Sequence, residues 1–516
     1  MHTVPAKSRE RLRTNKIVAT ATSAKKSPKP APLKSAIVLD NTRHDLFEIR
    51  KTGDVVLEVC FENTPACNKS IPAEYIKELR SAKSEIISPT AYYRVDLHPL
   101  RRNSKFFERL LGSEIFKEGL EIKDAFSRLE LEGLKPANVE AEKLPRIAMV
   151  NDDLATKTLG REVVFLDLLR ILHGEEHITR PLSLLYLTVL VIMADIYDCL
   201  PCVSRYLTSI LIKFKYPTKD DRVINSQTEM KIAEEKLRQK IMIFYYTNQQ
   251  QKFNEATKEL ILGGSVYWNS EIEPRGNLTA WWDLPDGLEA ELSYRRIRLL
   301  LTISNLQMHF VQLYLARGIR LCKLGYTSSE SCDQFQLGEI IKFLTRKGLL
   351  NLVPFQAVSS DDPTYVWPEA YSGDIETLIA ELRAWPEYQI DGNHRHCGAR
   401  VKMLPALKYV YDCIQKGAGM KITSWKNDRS EHSWMVPRSI PSNKSTPFVV
   451  GNEIVGEGYT VFDFTKASSG ADTRNWERSN SDRVAKLLFT ARRWIWSPEK
   501  EEESKILRPN GLAFKF

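Results

Sequence analysis

From Leu182 to Ala194 the chain runs thirteen residues (LSLLYLTVLVIMA) without a charge, stopping at Asp195. A helix of that length measures about 20 Å, short of the roughly 30 Å of a bilayer core. The run therefore reads as a helix buried in protein on every side, which requires a folded body large enough to surround it. The 516 residues supply that body, with 43% hydrophobic and 27% charged residues. Such usage excludes collagen, a coiled-coil rod, wholesale disorder and a membrane protein, and the length suggests about three domains.

The formal net charge of +9 is unevenly spread. Residues 1–36 carry nine Lys or Arg (Lys7, Arg9, Arg11, Arg13, Lys16, Lys25, Lys26, Lys29, Lys34) against Glu10, so eight of the nine net charges sit there. Lacking aromatics and rich in Lys, Ser, Pro and Ala, this segment is expected to be a disordered tail. A nearly neutral body has no charge excess with which to release counterions from a polyanion, so nucleic-acid affinity is expected only through the tail. Eight cysteines in a chain this long are no disulfide framework. Met1 is followed by no apolar signal core, so the thiols are expected reduced, the sequons at Asn68, Asn277 and Asn443 unmodified, and the chain cytoplasmic or nuclear.

Structure is expected to begin with a strand at Asp54–Phe61, followed by strands at Tyr92–Leu97 and Arg146–Val150. Phe165, Leu168, Leu169 and Leu172 fall on one helix face that ends at His173-Gly174, and Pro181 reads as the opening of the next helix. Beyond Lys213 the pattern turns helical, with a long polar-rich helix over Glu229–Ile261. The 4-3-4-3 series Leu299, Ile303, Leu306, Phe310, Leu313 predicts a bundle seam. Two further faces follow, Leu337/Ile340/Ile341/Leu344 and Ile375/Leu378/Ile379/Leu382. Trp281 and Trp282 read as packing anchors. The last hundred residues suggest a hairpin over Pro447–Phe464 and an aromatic helix near Val484–Trp496.

Read in order, Gly53-Asp54-Val55, a second strand running into Leu97-His98-Pro99-Leu100, Asn103 to Leu111 (NSKFFERLL), Phe116-Lys117-Glu118-Gly119, the strand at Arg146–Asp153 and the helices of Phe165–Tyr206 resemble a BTB/POZ domain. Ile171 to Gly174 (ILHG), Ala194 to Leu200 (ADIYDCL) and Val95 at the second strand–helix junction are similar to its fungal members. The resemblance covers about residues 51–212. It implies an α+β fold, a BTB/POZ-like mixed sheet with helices, here followed by a mainly α-helical extension over 213–416 and a loop-rich region over 417–516. Two insertions, Glu62–Thr90 and Leu120–Leu144, are expected as surface loops. By the resemblance Asp54, Leu100, Phe106 and Phe107 would serve the BTB fold and its dimer. Phe116, Lys117 and Glu118 match by position the hydrophobic-x-Glu element of cullin-binding members. The resemblance implies no catalysis.

Other constellations carry less chemistry. Cys199-Leu200-Pro201-Cys202 has thioredoxin-like spacing but follows an apolar helix, so buried inert thiols are expected. Cys322, Cys332, His394, His396 and Cys397 offer zinc-type ligands, yet nine residues separate Cys322 from Cys332 and sixty-one separate Cys332 from His394. Zinc motifs bring ligands in close pairs, so the expectation is core cysteines and a solvated histidine loop, with no metal or other cofactor. The chain has no G-x-S-x-G, Walker A or H-E-x-x-H motif. Gly451 to Gly458 (GNEIVGEG) lacks a phosphate-loop lysine, and Arg492-Arg493-Trp494 is a single basic and aromatic cluster. The functional expectation is a non-enzymatic, homodimeric interaction protein that recruits protein partners, a cullin among the candidates. The alternative is a nuclear regulator whose basic tail binds nucleic acid.

Overall fold

The computed structural model describes most of residues 34–67, 90–217, 227–268, 279–349, 371–436 and 481–496, with short stretches at 449–454 and 461–464. Segments 1–33, 68–89, 218–226, 269–278, 350–370, 437–448, 455–460, 465–480 and 497–516, and some single positions including His396, lie outside the described residues.

Strands β1 (Lys34–Leu39), β2 (Thr42–Glu48), β3 (Val55–Phe61), β4 (Thr90–Val95) and β5 (Arg146–Asn151) form one sheet in the order β1-β2-β4-β3-β5. Pairing is antiparallel for β1/β2 and β3/β4 and parallel for β2/β4 and β3/β5. The β1–β2 hairpin is a correction to the sequence reading, which started structure at Asp54 and ran the tail to Ala36; Lys34 to Ala36 belong to β1, while residues 1–33 lie outside the described residues. The hairpin is held because Ile37 and Leu46 are buried in a small apolar cluster with Val56 and Tyr92.

That cluster also corrects the second insertion. Helix α3 (Lys117–Leu131) and the two 3₁₀ turns after it bring Leu129, Val139, Ala141 and Leu144 against the sheet. The segment read as a surface loop is thus the cover of one sheet face. The opposite face, Val55, Leu57, Val59 and Phe61 with Tyr93 and Val95, turns into the main core against α4 (Arg161–Leu172). Because side chains alternate along a strand, a sheet covered on both faces accounts for the apolar density of β3.

The apolar run forms α5 (Leu184–Ile196), buried from Leu184 to Ala194, and no described helix is long and apolar enough to cross a membrane. It opens at Ser183, whose Oγ accepts a hydrogen bond from the Tyr186 N–H at 3.0 Å. Pro181 therefore lies outside the helix it was expected to open. Then comes α6 (Leu200–Lys213). The expected helix over Glu229–Ile261 is two, α7 (Gln227–Tyr246) and α8 (Gln250–Gly263). The break falls at Asn248, φ +55°, a residue type that tolerates the left-handed region.

Helix α9 (Leu288–Leu315) buries the whole predicted seam from Leu299 to Leu313. After it in the chain come α10 (Ser329–Arg346), α11 (Ile375–Arg383), α12 (Ala399–Gly417), α13 (Ile422–Asn427) and α14 (Arg429–His432), of which α10 and α12 pack on it. At the C-terminal end β6 (Val449–Val450) pairs with β7 (Glu453–Ile454). β8 (Val461–Asp463) does not close that hairpin but runs parallel to β9 (Arg493–Ile495). The expected aromatic helix stops early, as α15 (Ser481–Phe489). One apolar core runs from Phe47 to Trp496 and does not stop at Ile212.

Candidate functional site

At the strand–helix junction, Gly53 leads into β3 and Asp54 turns back on the next strand. The Asp54 carboxylate accepts the Leu97 N–H at 2.8 Å, where helix α1 (Leu97–Asn103) begins. Burial raises its pKa above the usual carboxylate range despite that bond. Ser104 then separates α1 from α2 (Lys105–Gly112). Its Oγ accepts the Phe107 N–H at 3.1 Å and donates to the Tyr197 carbonyl at 2.6 Å. One hydroxyl thus caps α2 and ties it to the end of α5. Phe107 stacks on Tyr197 at 5.6 Å between ring centroids, with Phe106 edge-on to both. Leu100 and Phe107 are fully buried and Phe106 partly so, so Leu100 and Phe107 are spent on the fold, and neither presents a surface to a second copy. β3 is flanked by β4 and β5, which leaves the sheet edges to β1 and β5.

The segment entering α3 carries exposed apolar side chains. Ile115 is 88% exposed, Phe116 44% and Leu120 43%. Lys117 pairs with Glu121 at 3.1 Å and Lys123 with Glu114 at 2.6 Å. Glu118 stands half-buried in the first turn, where the helix dipole favours an acid.

A third constellation lies among α9, α10 and α12. Cys322, Cys332, His394 and Cys397 put their sulfurs and a ring nitrogen within 4.8 Å of one another. Cys322 Sγ is 3.4 Å from His394 Nδ1 and 3.7 Å from Cys397 Sγ. Cys322, Cys332 and His394 are buried and Cys397 half-buried. This corrects the sequence reading of a solvated histidine loop, since His394 is only 1% exposed. His396 lies outside the described residues.

Local structure explains the convergence. Cys332 sits in the first turn of α10. Next to it the Asp333 carboxylate accepts the Leu321 and Cys322 N–H groups at 2.8 and 3.1 Å, folding the chain after α9 back onto that turn. The Asp391 side chain caps the 3₁₀ turn Gly392–His394 by accepting the Asn393 N–H, and the Cys397 N–H then bonds the His394 carbonyl. Tyr314 Oη of α9 donates to the Cys397 carbonyl at 2.9 Å. Burial pushes the Cys332 and Cys397 thiols up. For Cys322 burial also raises the thiol, but the Ser329 hydroxyl first, then the Leu324 N–H and the neighbouring thiols, outweigh it and the net direction is down. The signal available in sequence was the His394-x-x-Cys397 pair; the partners 72 and 65 residues away are joined only by the fold.

The remaining candidates are structural. Burial pushes the thiols of Cys199 and Cys202 up, away from the reactive thiolate. Trp494 is buried, with its Nε1 donating to the Leu488 carbonyl and the Arg298 guanidinium 5.6 Å from its ring, so its face is not offered to a base. Trp281 and Trp282 are packed as expected, Trp281 Nε1 donating to Glu235 at 2.9 Å. Comparison with known protein families, curated proteins and solved structures gives no match for this chain.

Proposed function

We propose that the chain is a non-enzymatic protein-interaction module, built at its N-terminal end on a BTB/POZ-like plan, that self-associates and recruits a protein partner. The observation that carries the reading is the exposed Ile115-Phe116-Leu120 surface at the start of α3. Exposed apolar side chains close together in sequence, at a helix start, are the kind of surface that interaction sites use. The BTB-like plan is supported by the succession β3, β4, the Ser104-capped helix pair, β5 and then α4 to α6. Within that plan Phe116, Lys117 and Glu118 stand where a cullin contact is expected, with Phe116 supplying the apolar anchor and Glu118 the charge.

The test is affinity purification of the full chain from its own cells with mass spectrometry of the bound proteins, beside Phe116→Asp and Glu118→Ala. Phe116 is partly exposed and Glu118 half-buried, so thermal melts of both variants beside the wild type separate loss of a partner from loss of fold. A partner bound by the wild type and lost from both variants supports the reading, and a cullin among the lost proteins makes the chain a ubiquitin-ligase adaptor. Equal recovery from all three overturns the assigned surface. Light scattering that returns the 59.2 kDa chain mass at all concentrations overturns self-association.

A further inference from the structure

The geometry points to a structural zinc site: Cys322, Cys332, His394 and Cys397 bind one Zn²⁺ as a closed Cys3His tetrahedron that clamps the chain after α9, the start of α10 and the loop before α12. The inference is independent of the proposed function. It rests first on the edges of the cluster. With Zn–S of about 2.3 Å and Zn–N of about 2.0–2.1 Å, a regular tetrahedron has sulfur–sulfur edges of about 3.8 Å and sulfur–nitrogen edges of about 3.6 Å. The chain holds Cys322 and Cys397 sulfurs 3.7 Å apart and Cys322 Sγ 3.4 Å from His394 Nδ1. A disulfide would require about 2.05 Å; the cysteines are free.

The second support is the donor set. Three thiolates and one imidazole are the soft and borderline ligands that select zinc over the hard, oxygen-seeking cations. Four protein donors leave no position for a substrate or water, which makes the site structural. Which imidazole nitrogen binds is also readable. His394 Nδ1 lies 3.4 Å from the Cys322 sulfur, while Nε2 is 3.9 Å from the Asp391 carboxylate, longer than a hydrogen bond, so Nδ1 is the nitrogen placed to bind.

The third support is the frame outside the ligands. Asp333 fixes the backbone of Cys322 through two N–H groups, Tyr314 holds the carbonyl of Cys397, and Gln336 Nε2 donates to the Tyr388 carbonyl at 2.8 Å beside the same loop. Every ligand-bearing segment is thus anchored by a residue that is not itself a ligand. The two segments from which the ligands come lie more than sixty residues apart in the chain, so the ion would act as a cross-link closing a long loop. Metal binding would release thiol protons as the thiolates form, which ties affinity to pH.

The experiment measures zinc in the full-length protein purified without chelator, by elemental mass spectrometry against protein concentration. One zinc per chain is expected, released stoichiometrically when a mercurial blocks the thiols. Replacing it with Co²⁺ should give the visible d–d bands of a tetrahedral site together with thiolate charge-transfer absorption. His394→Cys, which keeps four soft donors, should retain one metal, whereas Cys332→Ser should lose it. Cys413→Ser, at a buried cysteine outside the cluster, should retain it, separating ligand loss from general misfolding. If Cys332→Ser does not fold, the wild-type stoichiometry and the cobalt spectrum still decide. A folded, metal-free wild type with no cobalt spectrum overturns the inference, as does an octahedral spectrum or a Cys322–Cys397 disulfide in the native protein.

Discussion

Two histidines are held neutral by different means, and they make a testable contrast. His173 is bonded through both ring nitrogens, Nδ1 to the Leu169 carbonyl at 2.7 Å and Nε2 from the Asp96 N–H at 3.1 Å. The second bond requires an unprotonated nitrogen. Burial lowers its pKa, the Arg50 charge adds to that, and Asp96 opposes. His309 Nε2 is buried with no hydrogen-bond partner, and burial brings its pKa down to about 4. For a base with a depressed folded pKa the unfolded chain binds more protons, so stability is complete above the unfolded value of about 6.5 and is lost as pH falls below it. For His309 the loss is complete near pH 4 and amounts to about 3 kcal/mol. His309→Leu should therefore melt at least as high as wild type at pH 7 and show a shallower decline between pH 6.5 and 5. His173→Leu should be less stable at every pH, because it strands the Asp96 N–H, while the Leu169 carbonyl keeps the backbone N–H of residue 173. Thermal melts across that pH range check both, and an unaltered acid slope in His309→Leu removes His309 as its source.

At the scale of elements, helix ends show how context reverses a local preference. Gly417 ends α12 and Gly263 ends α8, and alanine is the better helix former at either place by about 0.5–1 kcal/mol. A Cβ at Gly417 would lie 2.5 Å from the Ala485 Cβ and 2.9 Å from the Ser481 carbonyl oxygen, whereas a Cβ at Gly263 meets nothing within 4 Å. Gly417→Ala should thus cost about 1–3 kcal/mol by overpacking and loosen α15, while Gly263→Ala should be neutral or stabilising. Denaturant melts of the two variants, with tryptophan fluorescence reporting Trp434, Trp494 and Trp496, test the pair; equal effects would mean α12 and α15 can separate without loss. The same scale shows what a sequence can disclose. The faces of α4, α9 and α11 were legible because each repeats apolar residues at helical spacing and each buries that face. The β1–β2 hairpin was missed because Thr42–Glu48 (TRHDLFE) mixes charges with two apolar residues, and only the α3 cover makes its burial worthwhile. The α7/α8 break was missed because Asn248 turns the chain without glycine or proline. The parallel β8/β9 pair and the thiol–imidazole cluster join segments 30 or more residues apart, a separation that carries no local signal.

At the scale of the molecule, α9 gathers the rest of the chain through three arginines that act on the ends of other helices. Arg296 donates to the Ile261 and Leu262 carbonyls at the end of α8, Arg295 to the Ala418 and Gly419 carbonyls just past α12, and Arg298 to the Phe489 and Ala491 carbonyls at the end of α15. Cations at helix C-termini complement the exposed carbonyls and the dipole. Arg295 is in turn paired with the buried Glu291 at 2.8 Å, whose other bonds come from Ser433 Oγ and the Trp434 N–H. The N-terminal unit is joined to this hub through α5. That helix is buried on all sides and α7 packs along it, while Ser204 and Leu211 of α6 bond Thr247 and Lys252 at the α7–α8 corner. A chain ending at Lys213 would keep the sheet and α1 to α6 but strip α7 and α8 from α5 and α6, exposing apolar side chains that the full chain buries. That fragment should show an expanded, dye-binding state without a cooperative melt, and the full chain should unfold in one transition. Near-ultraviolet circular dichroism with calorimetry of both decides it: a fragment that melts cooperatively at the full chain's temperature would make the N-terminal unit an independent domain and reduce the α5–α7 packing to a docking contact.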